Sequence, residues 1–158
     1  MTDMKSTKTR LTGWAFVLAQ FALIGLMVVL PREVHYIASD LWRTLGMVLM
    51  VAGAGAGFWS AAFLGRGLTP TPVPNGATEL VTRGPYRYVR HPMYVSVVLF
   101  MGGVAIRSGS WLAWPLFIGL IALFHVKARW EESQLLEVFR GYDAYVSRTP
   151  RFVPGIKG

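Results

Sequence analysis

Two long stretches without a single charged residue, 11–31 and 44–65, constrain this chain more than any other feature. At about 1.5 Å of rise per residue, a helix over either is long enough to cross a hydrocarbon core of about 30 Å. Lipid offers the backbone no water, so such segments must satisfy their amide groups within helices. Composition agrees: of 158 residues, 53% are hydrophobic and only 15% charged, where an ordinary soluble domain carries about 25% charged residues. Two further apolar stretches, 92–106 and 108–126, flank the polar turn Arg107-Ser108-Gly109-Ser110 and read as a helical hairpin whose first arm is short for a full crossing. The expectation is an all-α polytopic membrane protein. It has four transmembrane helices over 11–31, 44–65, 92–106 and 108–126, a cytoplasmic loop over 66–91 and a cytoplasmic C-terminal segment over 127–158.

The chain carries 16 Lys+Arg against 8 Asp+Glu, a net charge of +8. In so apolar a chain that excess fits loops facing anionic lipid better than it fits nucleic acid. Lys5, Lys8 and Arg10 precede the first stretch, and Arg66, Arg83, Arg87 and Arg90 lie between the second and third. Lys127, Arg129, Arg140, Arg148, Arg151 and Lys157 follow the fourth, which leaves only Arg32, Arg43 and Arg107 for the other side. The positive-inside rule then gives four crossings with both termini cytoplasmic, as in a bacterial or archaeal inner membrane. The first stretch is long for a secretory leader, and Pro31-Arg32-Glu33-Val34 after it is no cleavage site, so it reads as an anchor.

The absence of cysteine removes disulfides, thiolate metal ligands and thiol nucleophiles. His35, His91 and His125 are the only histidines, and no group of acidic residues completes a ligand set, so no catalytic metal is expected. Gly53, Gly57, Ala61 and Gly65 recur every four residues, a small-residue stripe that lets another helix approach closely, one of the same chain in preference to one of a second copy. The Gly53-Ala54-Gly55-Ala56-Gly57 run superficially resembles a dinucleotide loop, but no strand precedes it.

Chemistry concentrates at the ends of the apolar segments. Three prolines within 69–76 exclude a helix there. The run that follows, Arg83-Gly84-Pro85-Tyr86-Arg87-Tyr88-Val89-Arg90-His91-Pro92-Met93-Tyr94, mixes cations with aromatic rings and sets Pro92 at a helix start. Interfacial anchoring alone accounts for many such runs. The hairpin, however, returns the chain to the same side as His125-Val126-Lys127-Ala128-Arg129-Trp130-Glu131-Glu132, so the glutamates emerge where His91 enters. Two adjacent carboxylates beside cations and rings can hold a ligand carrying both signs of charge. The plainer alternative is a solvated helix face on which the glutamates offset Lys127 and Arg129.

Arg90-His91-Pro92-x-Tyr94, then Glu131-Glu132, then Phe139, Tyr142, Tyr145 and Thr149-Pro150-Arg151-Phe152-Val153-Pro154, resembles the isoprenylcysteine carboxyl methyltransferase and phospholipid methyltransferase group. The similarity runs from about residue 80 to 154. It implies an integral membrane enzyme that moves a methyl group from S-adenosylmethionine to a lipophilic acceptor, releasing S-adenosylhomocysteine, with a cofactor pocket on the cytoplasmic side. The acceptor would be an isoprenylcysteine-like carboxylate or a lipid amine. Cofactor contacts would come from Tyr88, Arg90, His91, Pro92, Tyr94, Glu131, Glu132, Tyr145, Arg151 and Phe152. Either glutamate suits the ammonium or ribose, Arg90 or His91 the carboxylate, Tyr88 and Tyr94 the sulfonium, and the tail at Arg151-Phe152 the adenine. The catalytic expectations are Arg129 to steer an acceptor carboxylate, and His91 or Glu132 as a base for an amine. For His125 the expectation is a structural role.

Three rivals remain. A membrane reductase of the steroid-reductase type would bind a nicotinamide cofactor, for whose phosphates a glutamate pair is ill suited. A small four-span transporter would want an acidic group deep in a span, and none is present. A non-catalytic assembly factor would tolerate a decayed pocket, yet every motif residue is in place.

Overall fold

The computed structural model describes residues 2–29, 39–65 and 80–155. Outside them lie Arg32 and His35, Arg66 with the proline-rich 69–76, and Lys157. Of the described residues 82% are helical and none is in a strand, so the all-α expectation holds for them. The chain runs α1 (Thr2–Val29), α2 (Asp40–Leu64), a single 3₁₀ turn (Gly84–Arg87), α3 (Pro92–Ser108), α4 (Ala113–Val138) and α5 (Tyr142–Arg148).

Within α1 and α2, Thr7–Val29 and Asp40–Leu64 are long and apolar enough to cross a membrane, and little of either is buried inside the molecule. Phe21 is 62% and Phe58 79% exposed, as side chains facing lipid are and core side chains of a soluble domain are not. The chain is a membrane protein. Pro92–Ser108 is a shorter apolar helix.

The hairpin differs in detail from the sequence reading. Arg107 and Ser108 form the last turn of α3, not a loop, because the stop signal is Gly109 in the left-handed region at φ 68°. The fourth helix accordingly starts at Ala113, five residues later than the expected 108. It then runs unbroken past 126 to Val138, since nothing between Lys127 and Val138 breaks a helix. Its apolar part, 113–126, is about 21 Å long at the helical rise, and the rest carries the charges.

Packing follows the small residues. α2 lies along α3, antiparallel to it, with Arg107 Nη1 donating to the carbonyl of Arg43 at 2.9 Å where the end of α3 meets the start of α2. A methyl group placed on Gly53 would sit 2.6 Å from the Phe100 backbone nitrogen and 2.7 Å from the Ser96 carbonyl oxygen, so only glycine permits this approach. Gly57 faces Ser96 as well. The close contact extends from there toward Gly46 and Gly103, not toward Gly65, which has open space around it. α1 packs on α4 and touches α3, and the buried core of Met27, Met101, Ala105, Ala113, Leu120 and Phe124 fills the space between these three helices.

Candidate active site

Four segments converge where α3 begins and α4 turns polar. Pro85 and Pro92 each open a helical turn, and between them Arg90 and His91 lie in a bend outside any helix. Their free backbone amides are taken by the C-terminal tail: Arg90 N–H donates to the carbonyl of Pro150 at 2.9 Å and His91 N–H to that of Arg151 at 3.2 Å. This short pairing brings residue 151 against residue 91. From the other side α4 presents Leu120, Phe124, Lys127, Ala128 and Glu132, all buried and spaced as one helix face.

Glu132 is the hub. Its carboxylate accepts from Arg90 Nε at 2.9 Å and Nη2 at 3.4 Å, and from Arg151 Nε at 3.0 Å and Nη2 at 2.7 Å. His91 Nε2 is 3.1 Å from the same carboxylate. Arg90 also donates through Nη1 to the carbonyls of Val146 and Thr149, at 3.0 and 2.7 Å, and so ties down the end of α5. Such double forks satisfy every direction of a buried carboxylate. Burial works against the charged form of Glu132, yet the hydrogen bonds from His91, Arg151 and Arg90 outweigh it and hold the carboxyl far below the usual range.

Glu131, one residue earlier, stands differently. It accepts a short hydrogen bond from the Tyr94 hydroxyl and faces His91 Nδ1 at 3.6 Å. No arginine of the described residues pairs with it. Burial dominates and raises its affinity for a proton, against the lowering influence of His91, Tyr94 and Lys127. His91 therefore has a glutamate on each ring nitrogen. Its ring stacks on Tyr94 at 5.2 Å between centroids, and Tyr94 stacks on Phe124 at 4.6 Å. Phe152 of the tail lies 5.8 Å from the His91 ring and 6.1 Å from that of His125. Tyr145 donates to the carbonyl of Tyr86 at 2.5 Å, and burial together with the Glu131 charge pushes the Tyr86 phenol up to about 12.

Of the residues singled out from sequence, the structure brings together Arg90, His91, Tyr94, Glu131, Glu132, Arg151 and Phe152, with Pro92 buried at the start of α3. Tyr145 joins through Tyr86. Tyr88 and Arg129 are not drawn in. Tyr88 is 55% exposed. Arg129 is exposed and makes no hydrogen bond or ion pair with the described residues, because it lies about 100° around α4 from the fully buried Ala128. Sequence reasoning passed over Lys127, buried with its Nζ donating to Gln20 of α1 at 2.9 Å and lying 5.1 Å over the Tyr94 ring. The signal was available: 127 is four before 131, and Gln20 is a polar residue deep in a charge-free span. Phe124 was missed too, and it carries no charge that would have marked it.

These helices, with a buried ionic cluster where α3 begins and α4 turns polar, define a membrane protein whose charged side chains gather at one end of its helices. The phospholipid methyltransferase family model matches residues 41–141, which takes in α2, α3, α4 and both glutamates. The chain belongs to the phospholipid methyltransferase family, and is a methyltransferase of the membrane. It is similar to the nickel-cobalt-cadmium resistance protein NccN of Alcaligenes xylosoxydans xylosoxydans, 33% identical over 96% of this chain and 68% of that one. It is also similar to the cobalt-zinc-cadmium resistance protein CzcN of Cupriavidus metallidurans, 29% identical over 94% of this chain and 65% of that one. The chain thus spans about two thirds of the length of these relatives.

Proposed function

We propose that this protein transfers a methyl group from S-adenosylmethionine to a lipophilic acceptor that reaches the site from the bilayer. The observation that carries the reading is His91 held between two buried glutamates of opposite electrostatic standing, with the tail closed over them. The donor set fits the cofactor. Glu131 has lone pairs beyond the one Tyr94 uses, for an ammonium or a ribose hydroxyl. Arg151 spends Nε and Nη2 on Glu132 and keeps Nη1 for a carboxylate. The ring of Phe152 offers a face to a sulfonium, a contact of about 0.5–2 kcal/mol depending on desolvation.

When bound, the cofactor supplies an electrophilic methyl carbon on a positively charged sulfur, which leaves as a neutral thioether. The chain's own residues bind, align and keep water out, which is most of what an in-line displacement needs. Glu132 positions: it fixes His91, Arg90 and the tail at once. In this reading His91, or Glu131 beside it, takes the proton of an amine acceptor. A carboxylate acceptor needs no base, and Arg129, outside the cluster near the membrane boundary, is our assignment for steering it.

Topology belongs to the same proposal: four crossings, both termini in the cytoplasm of an inner membrane. Arg43 and Arg107 mark one face, and Arg83, Arg87, Arg90 and Arg151 the other. The relatives' names suggest a setting, resistance to divalent metals, and loss of the gene is expected to lower cadmium tolerance in plate growth assays.

Calorimetry on the purified protein in detergent tests the core of the reading. Binding of S-adenosylmethionine and of S-adenosylhomocysteine is expected, and Tyr94→Phe is expected to weaken both by freeing the Glu131 carboxylate to turn. Folded protein that gives no heat with either ligand at millimolar concentration overturns the reading.

A further inference from the structure

Lys127 precedes Glu131 by four residues on one helix, a spacing at which lysine and glutamate ordinarily pair. Here they do not. Among the described residues no carboxylate lies within ion-pair distance of Lys127 Nζ, which instead donates to Gln20 Oε1 at 2.9 Å and rests over the Tyr94 ring. Glu131 is left to the Tyr94 hydroxyl and His91. Gln20 is half-buried on the face of α1 that carries the buried Gly13, Val17 and Met27. It is an uncharged amide, deep in a span where polar side chains are costly, aimed at an ammonium from another helix. That helix lies outside the family-matched region, which begins at residue 41.

We propose that Gln20 is a positioning residue: it holds Lys127 off Glu131 and so reserves that carboxylate for the cationic part of S-adenosylmethionine. The inference rests on the reading of the site given above. An amide oxygen satisfies an ammonium without neutralising it, whereas a lysine on Glu131 would cancel the charge and occupy the lone pairs that a cationic ligand needs. The Tyr94 ring beneath Nζ marks the position at which the lysine is parked, and the flexible four-carbon stem of lysine makes the alternative reachable by rotation alone.

The test is a cycle of variants with two readouts, both on full-length protein in detergent. S-adenosylmethionine affinity by calorimetry should fall about tenfold in Gln20→Leu, and the same change made in a Lys127→Met background should cost nothing, since no lysine remains to intrude. Gln20→Glu, which keeps its hold on Lys127, should retain affinity within about twofold. Gln20→Leu without loss, a loss that persists with Lys127→Met, or a loss with Gln20→Glu as large as with Gln20→Leu overturns the proposal. Infrared difference spectra give the second readout. Gln20→Leu against wild type should show a carboxylate-stretch shift that vanishes in a Glu131→Gln background, and its absence also overturns the proposal. Wild-type protein that binds no S-adenosylmethionine would refute the reading of the site, while the infrared shift would still decide whether Gln20 keeps the two side chains apart.

Discussion

Glu131 and Glu132 differ by one position and about 100° of helix, and that rotation separates a carboxylate locked by two arginines from one that meets a tyrosine and an imidazole. Their contributions to stability carry opposite signs. Glu132, its carboxyl held below the ordinary range, stabilises the fold at any pH above that range and loses this contribution progressively as the pH falls from that range down through its own lowered value. Glu131, its carboxyl raised by burial, is best tolerated protonated, so its cost appears as the pH rises. Thermal unfolding in detergent should therefore show Glu132→Gln destabilised by about 3 kcal/mol or more at neutral pH, as when one partner of a buried ion network is removed. Glu131→Gln should be neutral or stabilising, its advantage shrinking toward about pH 4. If the glutamates instead formed a solvated face, each change would stay within about 0.5 kcal/mol. The sequence marked both glutamates, His91 and the arginines because charged and aromatic residues are conspicuous beside apolar spans. It did not mark Lys127 as buried, because a lysine at the end of a span ordinarily reaches for water. The partner that keeps it inside, Gln20, is 107 residues away.

Between elements, the closest approach is that of α2 to α3, where backbones meet at Gly53 with no side chain between. Gly53→Leu has nowhere to put even its first carbon and should cost about 1–3 kcal/mol or more, visible as a fall in the unfolding midpoint. Gly55, one helical face away with nothing within 4 Å, is the control: Gly55→Ala should be neutral or gain about 0.5–1 kcal/mol from helix propensity. Equal effects at the two positions would show that the stripe is not what joins the helices. The four-residue repeat was legible from 53 to 65, but its direction of use was not. Which end of a small-residue stripe is covered depends on the crossing point, and here that point was set by Gly103 of a helix whose own glycines formed no repeat. The same limit applied to α4, where hydropathy ends at 126 but the hydrogen-bonded helix does not.

For the molecule as a whole, reporter fusions after Gly65, Arg107 and Gly158 should read cytoplasmic, external and cytoplasmic. A cytoplasmic reading at Arg107 would make the α3–α4 hairpin re-entrant. Helical class and the apolar segments were plain in the sequence because lipid imposes them on every residue of a span, whereas the two backbone hydrogen bonds that pair the tail with Arg90 and His91 leave no trace in composition. The backbone contact at Gly53 also bears on how the protein breathes. Helices that touch through bare backbone cannot slide or part without losing the whole seam, so the second and third act as one stiff plank. α1, by contrast, is held through side chains alone: Met27 in the shared core, Gln20 under Lys127, and the Phe16–Trp130 ring contact at 5.6 Å. If the proposed acceptor does enter from the bilayer, the α2–α3 seam is expected to stay shut and α1 to be the helix that yields.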